Sequence, residues 1–142
     1  TGYRNALDTA GLTFNEDLVR FGNWRPDSGY EHTMALMNQS NPPTAIFCAN
    51  DLVALGAYEA LKELGKQIPN DVAVIGYDNQ EQFTVYMRPA LSTIALPHYE
   101  MGQWAVRHLL DRIDQNNQLP IVEEKLVCPY IELESITNGT NQ

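Results

Sequence analysis

Two short apolar runs, each stopping at polar residues on either side of one helix-like stretch, constrain this chain most. Thr44-Ala45-Ile46-Phe47-Cys48-Ala49 stops at Asn50-Asp51, and Val72-Ala73-Val74-Ile75 stops at Gly76-Tyr77-Asp78-Asn79. Both runs lack polar alternation and are bounded by turn residues, which is the pattern of a strand buried on both faces. Residues 51–64 between them have helical spacing. Strand, helix, strand at this separation is a parallel unit. Open parallel sheets bind ligands beyond the carboxyl ends of their strands, so Asn50 and Asp78 are expected at one edge, where a ligand sits.

The remaining elements follow the same logic. Residues 3–10 read as the tail of a helix ended by Gly11, with Ala6, Leu7 and Ala10 on its inner side. Residues 18–22 read as a short strand leading to Trp24. Asp27 or Ser28 caps a helix running to about Asn38, with Tyr30, Met34, Ala35 and Met37 at helical spacing. The helix after Asn50 is ended by Gly65, and Pro69 prevents its continuation. Its residues 52–58 carry no charge, so one face is expected on the sheet and the other on a further partner, a second copy of the chain fitting that role. Residues 91–96 form another strand, and 98–113 a long helix whose inner face carries Met101, Ala105, Val106, Leu109 and Ile113. Residues 116–120 form a loop, 122–131 are extended, and 135–142 are a frayed polar tail. Five strands alternating with four helices predict an α/β parallel sheet.

Composition narrows the function. At 142 residues the chain suits one domain, and none of its apolar runs approaches membrane-helix length. It opens Thr1-Gly2-Tyr3-Arg4, with neither the charged nor the apolar region of a signal peptide. Eighteen acidic residues against nine basic ones give a formal charge of -9. A grip on nucleic acid needs a basic face, so any DNA contact is expected from a part outside these residues. Cys48 and Cys128 fall in expected buried strands, and free thiols without a CxxC or Cys/His cluster fit a reducing, cytoplasmic compartment and no zinc site. No cofactor is indicated.

Trp24, following the strand at 18–22, is expected at the same edge as Asn50 and Asp78. An aromatic platform with an amide and a carboxylate around it suits a polyhydroxylated or planar ligand. Each residue also has a plain reading: Trp24 covering the core, Asn50 capping a helix, Asp78 stabilising a turn. Their convergence on one edge favours the ligand reading. Catalysis finds no nucleophile elbow, GxxxxGK[ST] or GxGxxG, so no enzyme is expected. His32, His98 and His108 are not at mutual ligand spacing, and only His98 falls near the expected site. The sequon at Asn138 reads as a chance match.

TAIFCANDLVALGAYEAL (44–61), IPNDVAVIGYDN (68–79) and RPALSTIALPHYEMG (88–102) resemble, in order and spacing, the lactose-repressor/galactose-repressor family of bacterial transcription regulators. The resemblance implies a two-lobed, periplasmic-binding-protein-like effector core that senses a small molecule, in a homodimeric repressor with a helix-turn-helix DNA-binding headpiece. Residues 1–95 and 121–136 then belong to the C-terminal lobe, 97–117 cross into the N-terminal lobe, and 137–142 form a flexible tail. The headpiece that would meet operator DNA and most of the first lobe lie outside these residues. By motif, Trp24 matches the family's aromatic platform, and Asn50 and Asp78 its polar contacts to sugar hydroxyls or a base. Leu96 stands where many relatives carry a ligand-reaching Gln, and His98 where some place an aromatic contact. Leu52, Leu55, Tyr58 and Tyr86 match the dimer interface. The effector implied is a sugar, sugar phosphate or purine, with no membrane partner. A sugar-binding protein of a transporter, outside the cytoplasm, shares the fold and stands as the alternative.

Overall fold

The computed structural model describes residues 2–114, 120 and 122–136. Helix α1, Gly2–Thr9, opens the chain. Gly11, at φ 69°, ends it in the left-handed conformation that glycine reaches without a Cβ penalty, and its amide bonds back to the Asp8 carbonyl. The expected inner face is not formed: Ala6 and Ala10 are exposed and Leu7 is half-buried, because none of the described elements packs broadly on it.

The strand expected at 18–22 is also absent. Glu16–Leu18 is instead a single 3-10 turn, capped by the Asn15 side chain, and Val19 leaves it in extended conformation. An extended segment becomes a strand only with a ladder neighbour, and among the described residues this one has none. Phe21 is 91% exposed as a result.

Helix α2, Pro26–Met37, starts earlier than either expected cap. Pro26 occupies the first helical position, where its preset φ and missing N–H cost nothing. The buried face of α2 is Ser28, Gly29, Thr33 and Leu36, while Tyr30, Met34 and Met37 are half-buried and Ala35 is exposed. Small residues face inward because α2 lies directly on α3, Asp51–Glu63. A Cβ on Gly29 would strike the Val53 carbonyl, and one on Gly56 the Pro26 carbonyl. Tyr30 Oη then donates to Glu63 Oε2 at 2.7 Å across the same pair. One cover of the apolar helix is therefore α2 of the same chain, where the sequence suggested a second copy.

The sheet is built around β1, Ala45–Phe47, and β2, Ala73–Ile75, paired in parallel with Ile46 opposite Val74. After β2 comes a four-residue helix, α4, Glu81–Thr84, which sequence periodicity did not indicate. Next, β3, Thr93–Ile94, runs parallel to β2 through single bridges at Ile75–Ser92 and Asp78–Ala95. The last strand, β4, Tyr130–Ile131, pairs with β3 in antiparallel register. The sheet is thus mixed. Val122–Pro129 makes no ladder, so Cys128 is half-buried, not inside a buried strand. Nor is β1 covered on both faces: Ala45 and Phe47 share the face opposite Ile46, and there Ala45 is exposed and Phe47 55% exposed.

Val72, Val74, Leu91, Leu61, Ala57, Tyr58 and Cys48 form the core between the sheet and α3. Burial pushes the Cys48 thiol up to about 12, so it stays protonated and behaves as a small apolar side chain. Helix α5, His98–Asp114, buries none of its residues. Met101, Val106, Leu109 and Ile113, expected inward, are all more than two-fifths exposed because no described element lies against them. No helix among the described residues is long and apolar enough to cross a membrane. The sequon at Asn138 and most of the expected polar tail lie outside the described residues.

Candidate functional site

The carboxyl ends of the strands carry a continuous set of hydrogen bonds. Asn50, just after β1, adopts extended backbone and caps α3: its Oδ1 accepts the Val53 amide at 2.8 Å. Its Nδ2 donates to the Trp24 carbonyl at 3.1 Å. One amide side chain therefore both caps a helix and ties down the Trp24 loop. Two donors sit on Nδ2, so this leaves one N–H beyond the bond to Trp24. Asn23 closes the loop from the other side, its Oδ1 accepting the Arg25 amide at 3.0 Å. Trp24 remains 64% exposed at this edge.

Asp78 follows β2, and its amide donates to the Ile94 carbonyl at 2.9 Å, which fixes it to β3. Its carboxylate stays half-exposed, with the Gln80 amide group 3.5 Å away. Among the described residues, three that are not glycine have positive φ: Trp24 at 67°, Asp78 at 109° and Asn79 at 58°. Such backbone costs about 1–3 kcal/mol per residue and persists where the surroundings hold it. All three lie at the expected ligand edge.

Asp51 holds this edge together, and the sequence marked it only as part of the Asn50-Asp51 pair that ends the first apolar run. It is fully buried. Its amide donates to the Tyr77 carbonyl at 2.9 Å, while its carboxylate accepts from the Gln80 amide at 2.7 Å and the Thr93 hydroxyl at 2.7 Å. Burial raises its pKa above the usual carboxylate range; the Thr93 and Gln80 bonds oppose that shift, and the Asp78 charge adds to it. Gly76 is required beside it, since a Cβ there would collide with Asp51 Oδ1. The only sequence signal was the Asn-Asp pair itself, in which the cap was assigned to Asn50. Thr93 and Gln80 gave no signal.

Leu96 is half-buried beyond β3, and its carbonyl accepts the amide of exposed His98 at 2.8 Å. Trp24, Asn50 and Asp78 thus line one edge, and Leu96 and His98 continue from its β3 end. The edge is an open face and not a closed cavity. Of the expected interface residues, Tyr86 is 72% exposed, Leu52 and Leu55 are half-buried, and Tyr58 is buried in this chain's own core. A groove of roughly 610 Å³ over α3 is lined by Leu55, Lys62, Lys66, Met87 and Arg88. A second hollow of about 640 Å³ runs along α5 past His98 and Tyr99. Among the described residues, no three His, Cys, Asp or Glu side chains cluster in a way that could hold a metal ion.

Residues 1–136 match the family model described as a periplasmic binding protein-like domain. The chain is 40% identical over 139 residues to the HTH-type transcriptional repressor PurR of Yersinia enterocolitica, covering 97% of this chain and 40% of that protein. It is 38% identical to the PurR repressor of Yersinia pestis over the same span. Among solved structures, it superposes on the complex of transcriptional regulator CelR with cellobiose at a TM-score of 0.87 and 34% identity, covering 94% of this chain and 40% of that one. A LacI-family regulator from Enterococcus faecium with bound ribose matches at a TM-score of 0.81 and 34% identity, over 95% of this chain and 49% of that one. The chain spans about two-fifths of the length of the curated relatives it matches.

Proposed function

We propose, from the premise that this chain belongs to the periplasmic binding protein-like domain family, that it is the effector-sensing part of a DNA-binding transcriptional repressor. The observation that carries the proposal is the edge itself. An exposed indole, an amide and a half-exposed carboxylate converge on the carboxyl ends of parallel strands, held there by backbone strained at two of the three positions. That set offers a flat apolar surface with hydrogen-bonding groups beside it, and suits a sugar, sugar phosphate or purine. The open face supplies one wall of a cleft. The other wall, with α5 crossing toward it, is the N-terminal lobe.

The named relatives and neighbours are transcription regulators, which favours this reading over a transporter's sugar-binding protein and over an enzyme. A cytoplasmic location follows from it. The protein works as a homodimer, with Leu52, Leu55 and Tyr86 as its contact residues beside the groove over α3; Tyr58 supports that surface from within. An effector held between lobes favours one lobe orientation, and that orientation decides whether paired headpieces dock on operator DNA. Control of this kind requires the effector to bind one orientation better than the other.

The test uses the full-length protein and its operator. Sugars, sugar phosphates and purines are first screened by thermal shift, since a ligand raises apparent stability by mass action. Asp78→Ala is expected to remove the effector's influence on operator titration while leaving effector-independent DNA affinity unchanged. An unaltered effector response in that variant would refute the site.

A further inference from the structure

Asp51 occupies the first position of α3, where an aspartate ordinarily faces solvent. Here it is 0% exposed, and Asn50 already serves as the cap. Its carboxylate has no cationic partner: among the described residues the only ion pair is Arg25 with Asp27. A buried carboxyl without a counterion is an unfavourable choice for stability alone. Its hydrogen bonds have a common target, however. The Tyr77 carbonyl and the Gln80 amide bracket the two consecutive left-handed residues, Asp78 and Asn79. The Thr93 hydroxyl anchors the other carboxylate oxygen to β3, the strand that also receives the Asp78 amide.

We propose that Asp51 is the positioning residue of the site: it clamps the 77–80 turn at both ends and thereby sets where Asp78 is presented to the ligand. Full burial excludes direct contact with an effector, so Asp51 acts only through the turn. Gly76 completes the clamp by leaving room for the carboxylate. The proposal rests on the reading of Asp78 as a ligand contact, and the experiment separates the two.

The experiment measures residue-resolved amide hydrogen exchange in the full-length protein, together with titration by cellobiose, ribose and unsubstituted purine as probes. In Asp51→Ala the Gln80 amide is expected to exchange about tenfold faster or more, the scale of a lost bond to a charged acceptor. The Val74 and Gly76 amides, which bond elsewhere, are expected to stay within about threefold of the unaltered protein, on the same scale. Any probe that binds the unaltered protein loses about tenfold in affinity. Asp51→Asn is expected to rescue both readouts, because its amide oxygen accepts from Gln80 and its N–H bonds the Thr93 hydroxyl. If Asp51→Ala does not fold, Thr93→Val gives the same pattern at smaller amplitude. Equal acceleration at Gln80, Val74 and Gly76 would reduce Asp51 to a general stabiliser and overturn the proposal, as would unchanged exchange at Gln80. Should Asp78→Ala leave probe affinity intact while Asp51→Ala still frees the turn, the ligand assignment fails and the clamp stands.

Discussion

Asn50 performs two tasks with one amide, and substitution can separate them. Asn50→Ala removes the acceptor for the Val53 amide and the donor to the Trp24 carbonyl together. Loss of the cap costs about 1 kcal/mol, and loss of a partly exposed amide–carbonyl bond adds about 0.5–1 kcal/mol. With a melting shift of roughly 2 °C per kcal/mol for the longer full-length protein, the alanine variant is expected to melt about 3–4 °C lower. Asn50→Asp keeps a good cap acceptor but offers no donor, and places a carboxylate against the Trp24 carbonyl. It is therefore expected to recover all but about 2 °C of the melting temperature. Because its Trp24 loop is released, it is expected to lose about tenfold in affinity for a bound effector. Thermal unfolding and calorimetric titration of the full-length protein, on the same preparations, read both quantities. An aspartate variant that melts like the alanine variant would refute the capping share. One that binds effector like the unaltered protein would refute the claim that Asn50 holds the Trp24 platform.

Gly56→Ala is expected to destabilise despite alanine's helix advantage of about 1 kcal/mol, because its Cβ meets the Pro26 carbonyl. Overpacking of this kind costs about 1–3 kcal/mol, so urea unfolding should show a net loss of about 1 kcal/mol. The raised pKa of Asp51 means that the folded state holds this proton more tightly than the unfolded one. Stability from this group is accordingly present at low pH and lost as pH rises, starting at the unfolded value of about 3.9 and ending at the raised folded value. Asp51→Asn should flatten that part of the pH profile of urea unfolding relative to the unaltered protein. At pH 8, iodoacetamide is expected to label Cys128 in the native state and Cys48 only on unfolding, since Cys48 is buried and its thiol is pushed up to about 12.

The elements with complete local information were legible in the sequence. The α3 boundaries follow from Asn50, Gly65 and an uncharged first half, and β2 from an unbroken apolar run, and both are where the pattern placed them. Elements whose identity depends on a neighbour were not. Residues 18–22 have the composition of a strand but no ladder partner among the described residues, so Leu18 closes a 3-10 turn and the segment leaves it through an extended Val19 without pairing. The direction of β4 depends on how the chain returns after α5, which local pattern does not encode. The inward face of α2 was misread because the closest approach in the fold is made by glycines, which carry no apolar signal. The site shows the same division. Asn50 and Asp78 could be placed from strand ends, and Trp24 lies beside Asn50 although the strand expected before it is not formed, whereas the function of Asp51 lies in bonds to residues 26 and more positions away in sequence.

The account's central claim is that a small effector binds at the Trp24, Asn50 and Asp78 edge. A crystal structure of the full-length protein with its effector tests that most directly. The effector's ring is predicted to lie on the Trp24 face at about 3.5–4 Å, with a hydroxyl or N–H donating to the Asp78 carboxylate at about 2.7–2.9 Å. An effector seated in the groove over α3, with the Trp24 face left to solvent, would contradict it.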